Sequence, residues 1–160
     1  AQKSKIFGKY SKLITLEAKK ANGNIESPGL KVVIARAKAE NMTNDTIDKA
    51  IKKATEAGNV EMEQITYESY GPGGTALMIE VLTDNRNRAA AEVRHILSKT
   101  GGFELAATGA ASWAFGRNEN RELVAHTTVP ISDEDGEKLE KLIEALEDNE
   151  DVQDVYTNAE

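Results

Sequence analysis

The sequence predicts an α+β protein: an N-terminal three-helix bundle followed by a ferredoxin-like βαββαβ domain, with domain ranges 1–60 and 61–160. Three observations carry this prediction. Up to Gly58, apolar residues recur at i, i+3, i+4 and i+7, the period of an amphipathic helix. After Gly58 the period changes, and "QITYESY" and "TALMIEVLT" read as strands. From Thr75 the segments run strand, helix, strand, strand, helix, strand, the order that gives an antiparallel sheet with both helices on one face.

The first helix sets Ile6, Phe7, Tyr10, Leu13 and Ile14 at helical spacing, with Lys3, Lys5, Lys9, Lys12, Lys19 and Lys20 on its other faces. "ANGNIESPG" breaks it. Ser27 and Pro28 then form an N-cap and first-turn pair for a second helix carrying Leu30, Val33, Ile34 and Ala37. Thr43 or Asn44 opens a third helix, with Ile47, Ala50, Ile51 and Ala54 inward and Gly58 expected at its C-cap. "GPGG" lacks the lysine and hydroxyl of a phosphate loop and precedes no helix, so it reads as a turn between strands. Asn87 to Lys99 is helical, and Gly101-Gly102 stops it. "GAASWAF" and "VAHTTVPI" are expected strands joined by "GRNENREL", with Trp113 and Phe115 packed against the two helices. Ser132 caps a helix whose Asp133, Glu134 and Asp135 sit at the positive end of its dipole. "DVQDVYTN" closes as a strand.

Composition narrows the function classes. At 39% hydrophobic and 29% charged, the 160 residues have the balance of a folded globular chain. No apolar run approaches the ~20 residues of a membrane span. There is no signal-peptide core, and the chain opens at Ala1, so its start is expected to have been processed or left out. The absence of cysteine removes disulfides, thiol catalysis and thiolate metal sites, and fits a reducing interior such as the cytoplasm. His95 and His126 are the only imidazoles, and His95 with Glu92 and Asp84 lacks a recognised ligand spacing. The acidic "EALEDNEDVQD" has no calcium-loop rhythm. The residues give no positive argument for catalysis or for a metal.

The net charge of −7 is unevenly spread. Residues 1–57 hold twelve basic and six acidic residues, a net of +6, whereas residues 58–160 hold eight and 21, a net of −13. Such asymmetry points the basic half toward polyanions, against the plainer reading of two solvated surfaces. Lysines supply point charges for a phosphate backbone. Arg86, Arg88 and Arg94 add guanidinium groups that grip phosphate bidentately, where "TDNRNR" hands a strand over to a helix N-terminus. The same loop also reads as a cap by Asp84 or Asn85, with the arginines paired to Glu92 or neighbours. On the residues alone both readings stand.

"SKIFGKYSKLI", "ARAKAENMTNDTIDKAIKKATEAG", "YESYGPGGTALMIEVLTDNRNRAAAEVRHILSKTGG", "GAASWAF" and "LEKLIEALEDNEDVQDVYTNAE" together resemble the YebC family, which includes the mitochondrial translational activator of cytochrome c oxidase. The resemblance implies a helical N-terminal domain, α/β domains, no catalytic activity, no cofactor and no small-molecule substrate. It implies a regulator that binds nucleic acid, either on the ribosome and its rRNA in translation or on DNA in transcription. Its setting would be the cytoplasm, or the mitochondrial matrix for organellar members. A protein-interaction module built on the acidic half is the remaining alternative. Two departures stand out. Family members begin with a basic "GHSKW" segment where this chain opens with "AQKSKIF". They also carry a further α/β domain after the "WxF" strand, which "FGRNENRELVAHTTVP" crosses directly, as expected of a short form or an internal gap.

Overall fold

The computed structural model describes residues 2–56, 62–119 and 123–160, with side chains from residue 6 onward. The chain divides into two compact units, Ala1–Met62 and Glu63–Glu160. The helical unit contains α1 (Gln2–Lys20), α2 (Pro28–Ala39) and α3 (Asn44–Thr55). Ile14 and Ala18 of α1 pack with Leu30, Val33 and Ala37 of α2 and with Met42, Ile47, Ala50 and Ala54. Of the expected stripes, Ile14, Leu30, Val33, Ala37, Ile47, Ala50 and Ala54 are buried, while Phe7, Tyr10, Leu13, Ile34 and Ile51 are partly buried against them. Thr15 ties α1 to α3, its hydroxyl donating to Ala50 O at 3.2 Å as well as to Ser11 O at 2.8 Å.

Local signals explain where these helices start and stop. The Thr43 hydroxyl accepts from the Thr46 N–H at 3.3 Å, a side-chain N-cap for α3. Ser27 occupies the N-cap of α2 with Pro28 in its first turn, but its hydroxyl makes no cap bond. Instead the Ser27 carbonyl accepts from Lys31 N–H at 2.9 Å. A Cβ on Gly29 would lie 2.6 Å from Glu17 Oε2, the tip of a flexible side chain that could swing aside. α2 ends with Asn41 at φ +71 and Met42 N–H donating to Ala37 O at 3.1 Å. α3 stops earlier than the sequence suggests: Glu56 is already extended, at φ −73 and ψ 140. Gly58, the expected cap, lies outside the described residues.

The sheet unit contains β1 (Glu63–Tyr70), β2 (Ala76–Thr83), α4 (Arg86–Lys99), β3 (Leu105–Ala106), β4 (Phe115–Arg117), β5 (Leu123–Ala125), α5 (Asp133–Glu147) and β6 (Val152–Thr157). Three helices followed by a sheet-and-helix domain make the α+β class that the sequence predicts. The main sheet has the order β3-β1-β2-β6 with antiparallel pairs throughout, and β4-β5 form a separate ribbon. "GPGG" is the turn it was expected to be, a 3₁₀ turn closed by Gly71 N–H to Thr75 O at 2.8 Å. Gly73 turns there at φ +71, where a Cβ would meet Ile131 Cγ2 at 2.9 Å.

β2 is covered on both faces, which is why "TALMIEVLT" is apolar almost throughout. Leu77, Ile79 and Val81 meet Ala89, Val93 and Leu97 of α4 and Leu139, Leu142 and Leu146 of α5. Ala76 and Met78, on the opposite face, meet Ala111, Ala114 and Phe115. The packing corrects two expected strands. Of "GAASWAF" only Phe115 is strand, as the first residue of β4, and it is preceded by a 3₁₀ turn at Ser112–Ala114. Of "VAHTTVPI", only Val124 and Ala125 belong to a strand, with a single bridge at Val129. β4 and β5 pair with each other, and the place beside β2 is filled by β1. Phe115 therefore packs on the sheet face away from the helices, and Trp113 is exposed rather than packed against them.

A buried carboxylate fixes that covering segment. Glu68 accepts from Gly109 N–H at Oε2 (2.8 Å) and from Ala111 and Ser112 N–H at Oε1 (2.9 and 2.8 Å). Burial pushes its pKa up, but the three backbone donors together outweigh burial and hold it below its ordinary 4.5.

Candidate nucleic-acid interface

The candidate residues fall into two groups, one in each unit. In the sheet unit, β2 ends at Thr83 and the chain must turn at once into α4. Asn85 makes the turn: its Oδ1 accepts from Arg88 N–H at 3.0 Å, while its own N–H donates to Thr83 Oγ1 at 3.1 Å. The cap is therefore Asn85 rather than Asp84. It fixes where the next two arginines leave the backbone.

Those arginines meet different surroundings. Arg86 Nε and Nη2 both donate to Glu63 Oε2, at 3.0 and 2.9 Å, with both side chains more than half exposed. Such a surface pair is worth about 0–1 kcal/mol, so a phosphate can replace Glu63 at small cost. Arg88 is tied inward. Its Nη2 donates to Asp84 Oδ1 at 3.0 Å and to Asp151 Oδ2 at 2.8 Å, and its Nε lies 3.9 Å from Glu92 Oε1. The Asp151 side chain is only 4% exposed and also accepts from Thr83 Oγ1 at 3.0 Å. The hydrogen bond and charge of Asp151 push the Arg88 guanidinium further up, so it stays charged at any physiological pH. Arg88 thus pins the start of α4 to the turn before β6. Arg94 is exposed on α4 and pairs with none of the described carboxylates.

In the helical unit, Lys9, Lys12 and Lys19 of α1 are half-buried and Lys20 is exposed, 3.6 Å from Glu17. The side chains of Lys3 and Lys5 lie outside the described residues. Arg36 of α2 stands 6.0 Å from the centre of the Tyr10 ring. Lys31 and Lys38, which no motif marks, flank a shallow groove of about 360 Å³ that includes Ile34, Ile47 and Ile51 of α2 and α3. Both lysines are exposed, and Lys31 lies 2.8 Å from Glu26. Their signal in the sequence was only their share of the +6.

Other chemistries find no assembly here. Among the described residues no group of three or more His, Asp or Glu side chains is placed to hold a metal ion. His95 is exposed, and His126 Nε2 lies 3.0 Å from Phe115 O. No helix among the described residues is long and apolar enough to cross a membrane.

Comparison with known proteins agrees with this architecture. A family model described as "TACO1/YebC protein N-terminal domain" matches residues 1–57, and one described as "TACO1/YebC second and third domain" matches residues 62–120 and 117–159. The two pieces of the second match meet at the β4-β5 junction. A "Probable transcriptional regulatory protein" of Halothermothrix orenii is 44% identical over 148 residues, 91% of this chain and 56% of the relative. The chain thus spans little more than half of that relative's length. One of the same description from Caldanaerobacter subterraneus is 35% identical over 222 residues, which cover all of this chain and 91% of the relative. The crystal structure of a conserved hypothetical protein from Aquifex aeolicus superposes with a TM-score of 0.90 at 29% identity, covering all of this chain and 91% of that one. With both its helical and its sheet unit matched, this chain belongs to the TACO1/YebC family.

Proposed function

We propose that this protein is a non-enzymatic regulator of gene expression that holds a nucleic-acid backbone, acting as a ribosome- and rRNA-associated translation factor in the cytoplasm. The observation that carries this reading is the segregation of charge: +6 on residues 1–57 in a chain whose net charge is −7. In this reading Lys3, Lys5, Lys9, Lys12, Lys19 and Lys20 lie along the phosphates as point charges. Arg86 adds a two-pronged grip by exchanging Glu63 for phosphate, Arg94 adds an outlying charge, and Arg88 contributes by fixing the cap that aims Arg86. The reading needs no cofactor and no small-molecule substrate.

Pelleting with ribosomes tests it. Neutralising Lys12, Lys19 and Lys20 to Gln should release most of the protein from the pellet at moderate salt, and Arg86→Ala should release a smaller share. Undiminished pelleting of the triple variant would overturn the assignment. A second reading, a DNA-binding transcriptional regulator, is favoured by the names the relatives carry. It requires binding to one duplex sequence well above binding to random duplex, and a ratio near one rejects it.

A further inference from the structure

We propose that the sheet unit carries a docking surface for a basic protein segment, anchored on Trp113; this goes beyond the nucleic-acid reading and uses the other unit. Trp113 is 53% exposed, although indole is normally well buried and is the side chain most enriched at interface hot spots. It is not a loose surface residue. Its neighbours Ser112 and Ala114 are pinned, Ser112 by its N–H to Glu68 Oε1 at 2.8 Å and Ala114 by accepting from His126 N–H at 2.9 Å. The Tyr70 hydroxyl donates to Ala110 O, and Ala111 and Ala114 are wholly buried beneath the turn. A carboxylate removed from water is thus held by backbone that presents one large apolar side chain outward. Little ordering remains to oppose binding at such a site, which is what preorganisation contributes to affinity. Tyr70 and Val124, the other large apolar side chains left exposed in this unit among the described residues, lie in β1 and β5, on the same ribbon side of the sheet.

Charge selects the occupant. Residues 63–160 hold eight basic and twenty acidic residues. Arg86, Arg88 and Arg117 are each ion-paired with a carboxylate of the same unit. A base stacked on Trp113 would bring its phosphates into this negative field. A segment with arginine or lysine beside apolar side chains gains from the field, from the apolar contact and from a cation over the indole face. The partner class is therefore a basic, partly apolar protein segment rather than RNA.

Trp113 is the only tryptophan in the chain, so its fluorescence reports occupancy directly. The full chain is titrated with a short synthetic peptide of alternating arginine and leucine, with its aspartate–leucine counterpart, and with oligouridine RNA. The arginine peptide alone should give a saturable blue shift. By anisotropy of the labelled peptide, Trp113→Ala should bind it about tenfold more weakly or worse. The circular dichroism and melting of that variant should match wild type, because the side chain is exposed. Its RNA affinity should also be unchanged, which separates this proposal from the one for the helical unit. Equal peptide affinity in wild type and Trp113→Ala would show attraction by charge alone and overturn the proposal. A blue shift with RNA or with the aspartate peptide in place of the arginine peptide would do the same.

Discussion

The two units are both built on packed aliphatic side chains, but they treat polar groups differently. Among the described residues, the helical unit buries one polar side chain, Thr15, whereas the sheet unit buries Glu68, Ser69, Thr75, Thr83, Asp151 and Asn158. The charges of the helical unit lie outside, in surface pairs such as Lys20 with Glu17 and Lys31 with Glu26. In the sheet unit two carboxylates are structural, Glu68 holding the Trp113 turn and Asp151 holding Arg88. Net charge alone would rank the sheet unit as the more highly charged surface. The described lysines of the helical unit are exposed or half-buried, while some acids and arginines of the sheet unit serve the fold.

That contrast is sharpened by substitutions, beginning with the cores. Leu30→Ala and Leu142→Ala each remove a side chain with no exposure, one per unit, and should each cost about 2–5 kcal/mol in chemical denaturation. If the units are separately cooperative, each variant shifts only its own transition. A common shift of both would break the comparison. Next, Glu68→Gln replaces an acceptor oxygen by a donor facing backbone N–H groups, at a cost of about 1–3 kcal/mol. The folded Glu68 pKa is depressed, so its contribution is fully present above 4.5 and is lost as pH falls through the lower folded value. The stability gap between wild type and variant should therefore be constant near neutral pH and close only in acid. A gap independent of pH down to acid unfolding would contradict the assignment.

Smaller effects separate the two arginines. Arg88→Ala removes the guanidinium from the buried Asp151 and should lower the melting point, at about 2 kcal/mol. Arg86→Ala removes only an exposed pair and should stay within about 0.5–1 kcal/mol of wild type. In binding the order reverses, with Arg86→Ala weakening the hold on nucleic acid while a properly folded Arg88→Lys does not. Equal melting points for the two alanine variants would remove the distinction.

The helices and three of their caps were legible because their signals are local: Thr43, Asn85 and Ser132 each bond an N–H three residues on, whereas Ser27 makes no such bond. The hairpin turn at "GPGG" was legible for the same reason. "GAASWAF" and "VAHTTVPI" were over-read as strands because a short alternating run does not say which strand it will pair with. Here β1 had already taken the edge of β2. Trp113 was assigned to packing because aromatic residues usually pack, and nothing local announces a carboxylate 44 residues earlier bonding to Ser112. The arginine loop was recognisable by residue type, but the partner that commits Arg88 lies 63 residues away in an acidic run that reads as solvated. Local chemistry was therefore visible in the chain, and long-range commitment of charge was not.

The central claim is that the lysines of the helical unit carry most of the hold on the phosphate backbone, with Arg86 of the sheet unit adding a smaller share. The most direct measurement is rRNA affinity against salt for wild type, for Lys12, Lys19 and Lys20 changed together to Gln, and for Lys99, Lys138 and Lys141 changed together to Gln. Each lost phosphate contact should reduce the log–log salt slope by about 0.7–0.9, so the first set should bind more weakly with a flatter slope. The second set should match wild type. Equal losses in both sets, or none in the first, would contradict the account.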